Sequence, residues 1–327
     1  MSITETRMPA PSGLSCRDWW RTSLSPRPAQ AILVVNPFAG AARRGACLAG
    51  IERRLRAAGL EVRHVAASGP AAAAEALGGI LRHESPHDTR VIVAGGDGTV
   101  NAILPVLMGT GFPLAILPLG TLNVLARELE IPRSVEEAMQ VAASGCIRRI
   151  DLGLANGRPF SLLAGIGLDA AIVHRAVPAR NKSRFGLSAY AGRIMRLFAR
   201  YSPSRFRIAT DRVSTECKAW LAVVANASRY AFEWRLAPGA RMDDGRLDLW
   251  LFQSGSSIQT ASQAISIIRG THPDCPGVTH IQARRLQIDC DPPLYLQLDG
   301  GAAGSTPADI TVAREALAVV VPDCTPR

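Results

Sequence analysis

The feature that most constrains this chain is an apolar run that empties straight into a glycine cluster. Val91-Ile92-Val93-Ala94 is followed by Gly95-Gly96-Asp97-Gly98-Thr99-Val100-Asn101. A short continuous apolar run bounded by glycines reads as a strand buried on both faces, and such strands belong to parallel sheets. Glycines permit positive φ and let backbone N–H groups approach a ligand with no Cβ in the way. A helix starting after them adds its positive N-terminus, so the loop suits a polyphosphate. Asp97 stands among those donors, where a carboxylate needs a reason. Holding a divalent cation on the phosphates is one reason, and capping the helix in a tight strand-to-helix turn is the other.

The surrounding pattern supports the same architecture. Residues 31–35, 61–65 and 114–117 read as further short strands, alternating with helical patterns at 43–58 and 70–82. Strand and helix in alternation argue for a parallel βαβ sheet. Two more loops follow strands in the same way: Asn36-Pro37-Phe38-Ala39-Gly40 and Pro118-Leu119-Gly120-Thr121-Leu122-Asn123. Loops at the carboxyl ends of parallel strands can face one crevice, where ligands of such sheets lie. Ser134 with Glu137 forms a capping box for a helix that Gly145 stops.

Beyond Ile150 the character changes to short strands with turn signals, such as Asn156-Gly157, at 158–164, 204–210, 217–226, 246–252, 278–290, 293–299 and 308–321. Helical segments interrupt them near 183–200 and 256–269. The fold class expected is α/β: an N-terminal parallel-sheet nucleotide-binding domain and a C-terminal, mostly antiparallel β-sandwich. The boundaries expected are a loose tail at 1–30, the first domain at 31–148 and the second at 149–321.

Other nucleotide motifs are tested by their spacing. A Walker loop needs Gly-Lys-Ser/Thr, and the first lysine is Lys182. Gly165-Ile166-Gly167-Leu168-Asp169-Ala170 imitates a dinucleotide fingerprint, but no helical pattern is evident after it, so it reads as a turn. The seven cysteines are scattered without a Cys-x-x-Cys pair, so reduced thiols are expected. The net charge of +10 is nearly all arginine; a base-composition bias explains it as well as an anionic partner does. Charge decides nothing by itself.

Together, Asn36-Pro37, the 95–101 loop and Leu117-Pro-Leu-Gly-Thr-Leu-Asn123 resemble the catalytic domain of diacylglycerol and sphingosine kinases, above all their soluble bacterial lipid-kinase relatives. The resemblance continues through Arg149-Ile-Asp151-Leu-Gly153, Gly165 to Asp169, Met242-Asp-Asp-Gly-Arg-Leu-Asp248 and Leu298-Asp299-Gly300. It implies an ATP-dependent kinase acting on a lipid hydroxyl such as that of diacylglycerol. It implies nucleotide contacts from Asn36, Gly95, Gly96, Asp97, Gly98, Thr99, Val100, Asn101, Gly120, Thr121 and Asn123. Asp97 would join the Mg²⁺ network, with Asp151 a weaker candidate. Asp244 with the carbonyls of Arg241 and Arg246 resembles the family's structural Mg²⁺ site, and an ordinary hairpin turn is the alternative there.

Two departures stand out. Ala102 replaces a glutamate, and Gly301 replaces the glutamate that resembles the family's general base. Asp299, read as lying on the same strand face as Gly301, is the expected substitute. Three readings stay open: an active lipid kinase, a nucleotide-binding regulator that has lost catalysis, and a kinase for a soluble acceptor. The expected setting is cytoplasmic, without nucleic acid. The basic amphipathic pattern at 182–200 fits peripheral contact with anionic lipid, or a helix packed on its own domain. Oligomeric state leaves no signature.

Overall fold

The computed structural model describes residues 28–35, 44–65, 69–176, 197, 200–230, 234–254 and 256–323. The first half runs β1 (Gln30–Val35), α1 (Arg44–Ala57), β2 (Glu61–Val65), α2 (Pro70–Leu81), β3 (Thr89–Gly95), α3 (Asp97–Leu107), β4 (Leu114–Pro118), α4 (Val124–Glu128) and α5 (Val135–Ser144). Its strands pair in parallel in the order β2-β1-β3-β4. All seven residues of β3 are buried, as expected of a central strand covered on both faces. At the sheet edge β2 alternates toward solvent. The Ser134 hydroxyl accepts from the Glu137 amide, so Ser134 caps the helix, the first half of the box that was read. At the other end of α5 the buried Arg90 donates to the carbonyls of Ala142 and Gly145, 2.7 and 3.2 Å away. Those carbonyls lack intrahelical partners. Burial pushes the Arg90 pKa down to about 10, and the guanidinium remains charged near neutrality.

The second half runs β5 (Cys146–Ala155), β6 (Arg158–Phe160), β7 (Leu163–Gly167), α6 (Leu168–Ala176), β8 (Ser204–Thr210), β9 (Ser214–Ala225), β10 (Leu247–Gln253), α7 (Ser257–Arg269), β11 (Val278–Ala283), β12 (Arg285–Asp291), β13 (Tyr295–Leu298), β14 (Gly301–Ser305) and β15 (Ala308–Val321). Its strands pair antiparallel in the order β14-β13-β7-β9-β8-β12-β15, with β10 and β11 branching from β9. The result is the expected antiparallel sandwich. Asn156 and Gly157, with φ of 49° and 78°, form the tight turn between β5 and β6.

Three local expectations are corrected. The runs at 158–164 and 278–290 are each split in two, at 161–162 and at Arg284. Gly167 is followed at once by α6, so a helix does succeed the glycine pair. Cys217, Cys275 and Cys290 are free thiols as expected, but Cys146 is disulfide-bonded. The segment 182–200 lies almost wholly outside the described residues.

The long β5–β15 ribbon joins the two halves. Ile150, Leu152, Leu317 and Val319 pack into the core around β1, β3 and β4. Farther along the same ribbon, Ala155, Ala308 and Ile310 enter the sandwich core. Phe160, fully buried, seats its ring against Gly153, where an added Cβ would stand 1.9 Å from Cζ. Phe160→Ala should cost about 3–5 kcal/mol of stability. Gly153→Ala should cost about 1–3 kcal/mol through overpacking. In the Phe160→Ala background the glycine substitution should cost close to nothing, a non-additivity that urea midpoints of the four proteins would measure.

Candidate active site

The site begins where β3 and β4 end. Their last residues are in register, Gly95 opposite Pro118, so the two loops emerge side by side. They touch backbone to backbone: a Cβ on Gly96 would lie 2.9 Å from the Gly120 Cα, and one on Gly120 would lie 2.5 Å from the Gly96 Cα. No side chain fits at either position. Asn123, at a positive φ of 47°, stiffens the second loop. Its Oδ1 accepts from the Gly120 amide, and its Nδ2 donates to the carbonyls of Gly120 and Pro118.

Asp97 bridges the two loops. Its Oδ1 accepts from the Leu125 amide of α4 at 3.1 Å, so it caps the neighbouring loop's helix while opening α3. The amides of Thr99 and Val100 both donate to the Gly96 carbonyl, and both side chains are buried. Those two amides are therefore already engaged inside the turn. The ligand-facing donors reduce to Asp97 and Gly98, the first residues of α3, whose amides have no intrahelical acceptor. Gly98 and Thr121 are exposed at the mouth, with open space where a Gly98 side chain would stand. Asn101 turns toward the second half, and its Nδ2 lies 3.4 Å from the Asp299 carbonyl. Asn36 lies outside the described residues.

The hairpin expected to carry the general base differs from expectation. Asp299 does not share a strand with Gly301: Asp299 and Gly300, with φ of 47° and 79°, are the two turn residues between β13 and β14. The Asp299 carboxylate accepts four hydrogen bonds, from the amides of Ser161, Leu162 and Leu163 and from the Ser161 hydroxyl, at 2.7 to 2.9 Å. Burial pushes its pKa up, and the four donors pull it back. Every accepting direction is occupied by the protein's own donors, so Asp299 is a strut and not a replacement base. Gly301 is exposed and offers no proton acceptor.

A second buried carboxyl lies behind the same hairpin, unassigned by the sequence reading. Asp169 accepts from the Tyr230 hydroxyl and from Gln297 Nε2, while Gln297 Oε1 accepts from the Gly300 amide at 2.6 Å. Burial raises its pKa. The glycines before it are explained by packing: a Cβ on Gly165 would stand 2.1 Å from Asp169 Oδ2. Glu128, at the end of α4, was also missed. It accepts from the amides of Ser228 and Arg229 and from the Ser228 hydroxyl, tying the loop around Tyr230 to α4 and so to the glycine loops. No sequence signal announces contacts between partners 100 or more residues apart.

Asp151 makes no hydrogen bond to the glycine loop among the described residues. Its oxygens accept from the amides of Gly245 and Glu315, both at 2.7 Å, and it is 1% exposed. It has no surface to present to a phosphate. Instead it clasps the 242–245 turn, and its own amide donates to the Met242 carbonyl. Asp244 lies in that turn, its Oδ1 accepting from the Arg246 amide. Burial pushes the Asp244 pKa up, and Asp248, Asp151 and Asp243 add to the shift. The buried Asp248 Oδ2 has no hydrogen-bond partner among the described residues. The other Asp248 oxygen meets His280 Nε2 at 2.6 Å and Asp243 pairs with Arg241, so the turn is partly neutralised, and no group of three or more acidic, histidine or cysteine side chains able to hold a metal is found among the described residues. A concavity of about 750 Å³ lies elsewhere, on the outer face of β8, β9 and β12, and contains none of these residues.

Asp299→Ala should therefore destabilise the fold by roughly 3 kcal/mol or more, because three buried amides lose their acceptor at once. Urea unfolding checks this, and an unchanged midpoint would return Asp299 to the list of candidate bases.

The comparisons with known proteins agree with this geometry. A diacylglycerol kinase catalytic domain model matches residues 30–155, and a YegS C-terminal NAD kinase beta sandwich-like domain model matches residues 163–321. The chain is 32% identical over 243 residues to a diacylglycerol kinase of Mycobacterium tuberculosis, covering 71% of this chain and 76% of that one. It is 29% identical over 250 residues to an uncharacterized Synechocystis protein, 72% of this chain but only 55% of that relative's length. A Bacillus anthracis protein solved as a candidate diacylglycerol kinase shares the fold, with a TM-score of 0.75 at 24% identity across 90% of this chain and 98% of that one. Two matched domains in sequence, together with the 32%-identical M. tuberculosis relative that covers 71% of the chain, make this chain a member of the bacterial lipid-kinase family built from a diacylglycerol kinase catalytic domain and a YegS-type C-terminal domain.

Proposed function

We propose that the chain is an ATP- and Mg²⁺-dependent kinase that transfers the γ-phosphoryl group to a lipid hydroxyl, of diacylglycerol or a related lipid. The observation that carries this reading is the pair of glycine loops in backbone contact at Gly96 and Gly120, with Asp97 between them. That contact leaves the amides of Asp97 and Gly98 and the N-terminus of α3 open to an anionic ligand. Phosphoryl transfer needs positioning and charge stabilisation more than covalent chemistry from the protein, and rigid loops supply positioning.

Asp97 has one oxygen on the Leu125 amide, and its other oxygen makes no hydrogen bond among the described residues, so it fits the role of a carboxylate toward Mg²⁺ on the phosphates. Asp244, with the carbonyls of Arg241 and Arg246, fits a structural Mg²⁺ in the turn that Asp151 clasps. When bound, the metal supplies charge: on the phosphates in the first place, against the carboxylate cluster in the second. The chain's own residues set the stage. Asn101 and Glu128 fix the acceptor side against the loops, and the Asp299 strut holds the hairpin that bears Gly301. The setting is cytoplasmic, with the lipid reached at a membrane surface. No helix among the described residues is long and apolar enough to cross a membrane.

A second reading, a nucleotide-binding member with weakened catalysis, is favoured by the occupied Asp299 carboxylate together with the bare Gly301. Labelled ATP and a panel of diacylglycerol and sphingoid lipids, given to wild type beside Gly301→Glu, separate the two. The active-kinase reading expects transfer by wild type and a gain of up to about 10²–10⁴-fold in Gly301→Glu. The weakened reading expects Mg-ATP to raise the melting temperature without turnover, and turnover to appear only with the glutamate. Asp97→Asn should abolish transfer in both proteins. Phosphorylation of NAD but of no lipid would move the acceptor to a soluble molecule.

A further inference from the structure

Five large apolar side chains are exposed among the described residues, and three of them are on α7: Ile258 at 84%, Ile265 at 49% and Ile268 at 59%. Spacings of seven and three residues put them on one stripe of the helix, with the exposed Ser262 between. The opposite side is already satisfied. The Trp220 indole donates to the buried Gln263, and Ala264 and Ile267 pack against the sandwich. The side of the helix that carries the buried Gln263 and Ser266 is thus covered, and the isoleucine stripe is bare among the described residues.

Its charge pattern narrows the occupant. Residues 257–269 contain no aspartate or glutamate, and Arg269 closes the last turn. At the other end, Ser254 donates to the carbonyl of the exposed Lys218, which places a second cationic residue near the start of the helix. The whole chain carries +10. A second copy of the chain is a poor fit. Thirteen residues make a helix of about 20 Å, and a stripe some 10 Å wide would cover roughly 200 Å² per partner. Stable interfaces cover about 800 Å² per partner. A bilayer has no such minimum, because it accepts an apolar helix face at the headgroup boundary and draws cationic residues to anionic lipid.

We propose that the isoleucine stripe of α7 seats this protein on a bilayer surface containing anionic lipid. The inference draws on the lipid-kinase reading only for why such a surface is needed. The placement is consistent with that need. α6 and α7 cover the same apolar cluster on one face of the sandwich, and α6 packs against β13 and β14, the hairpin bearing Gly301. A surface under α7 therefore lies on the side from which α6 meets the acceptor hairpin.

The test is co-sedimentation of the full chain, without nucleotide, with vesicles of phosphatidylcholine alone or mixed with phosphatidylglycerol. Wild type should sediment with the mixed vesicles. The triple variant Ile258→Ser, Ile265→Ser, Ile268→Ser should lose at least about tenfold in partitioning. Its melting temperature should be unchanged, because the removed side chains face solvent. Ile258→Trp should partition more strongly than wild type, which keeps the test decisive if the triple variant expresses poorly. Transfer to a short-chain diacylglycerol in monomeric solution should be the same in wild type and triple variant. Sedimentation lost in the triple variant with transfer retained supports the docking, as does the same loss when neither protein transfers to any lipid, an outcome that removes the kinase reading alone. Wild type that ignores both vesicle types, or a triple variant that sediments as wild type does, overturns it. So does a wild-type dimer in analytical ultracentrifugation that the three serines dissolve.

Discussion

The backbone contact between Gly96 and Gly120 is the constraint from which the rest of the molecule is hung. Two adjacent parallel strands end in register, and their loops approach so closely that a methyl group on either side would force them apart. Asp97 then locks the pair by capping α4 from the start of α3. Both helices reach onward from that point. Asn101, in the first turns of α3, lies against the Asp299 carbonyl, and Glu128, at the end of α4, holds Ser228 and Arg229. The sandwich is therefore oriented by the same two helices whose N-termini face the crevice.

Buried carboxylates do most of the fastening. Asp151 and Asp169 are under 9% exposed and Asp299 is part-buried, and each is surrounded by donors from distant parts of the chain. An unpaired buried carboxylate would be prohibitive, whereas one that accepts several amide bonds holds irregular backbone that strand pairing cannot satisfy. Asp151 illustrates this. It ties the turn at Gly245 to the bulge of β15, where the register shifts and Glu315 takes a φ of 50°. The two segments lie 94 and 164 residues from it in sequence.

That distance explains what could and could not be read in advance. The parallel strands were legible because burial on both faces leaves a continuous apolar run, as in Val91 to Ala94. The Asn156-Gly157 turn and the Ser134 cap were legible because their chemistry is local. Asp299 was misplaced for a local reason as well. Asp-Gly is a strong hairpin signal, and reading 293–299 as one strand overrode it, although the structure ends β13 at Leu298. α6 was missed because Leu168 to Ala176 is short and follows glycines needed for packing. The engagement of the Thr99 and Val100 amides inside the turn was not legible because a motif gives residue identities without saying which amides the turn itself consumes. The Asp169–Gln297 and Glu128–Ser228 contacts join segments that no short window contains.

The absence of a carboxylate at position 301 can be weighed against what the loops supply. A positioned general base is worth about 10²–10⁴-fold, or roughly 3–5 kcal/mol of barrier. Enzymes typically remove about 8–23 kcal/mol in all. For a transfer in which charge neutralisation and alignment dominate, the proposed kinase reading assigns most of that sum to the amides, the helix terminus and the carboxylate that would hold the cation. Losing the base alone therefore predicts a slower enzyme and not an inert one. Losing the backbone contact at Gly96 and Gly120 would remove alignment and charge stabilisation together, which no residue at 301 could restore. The glycine pair, more than the missing glutamate, decides whether this chain can move a phosphoryl group.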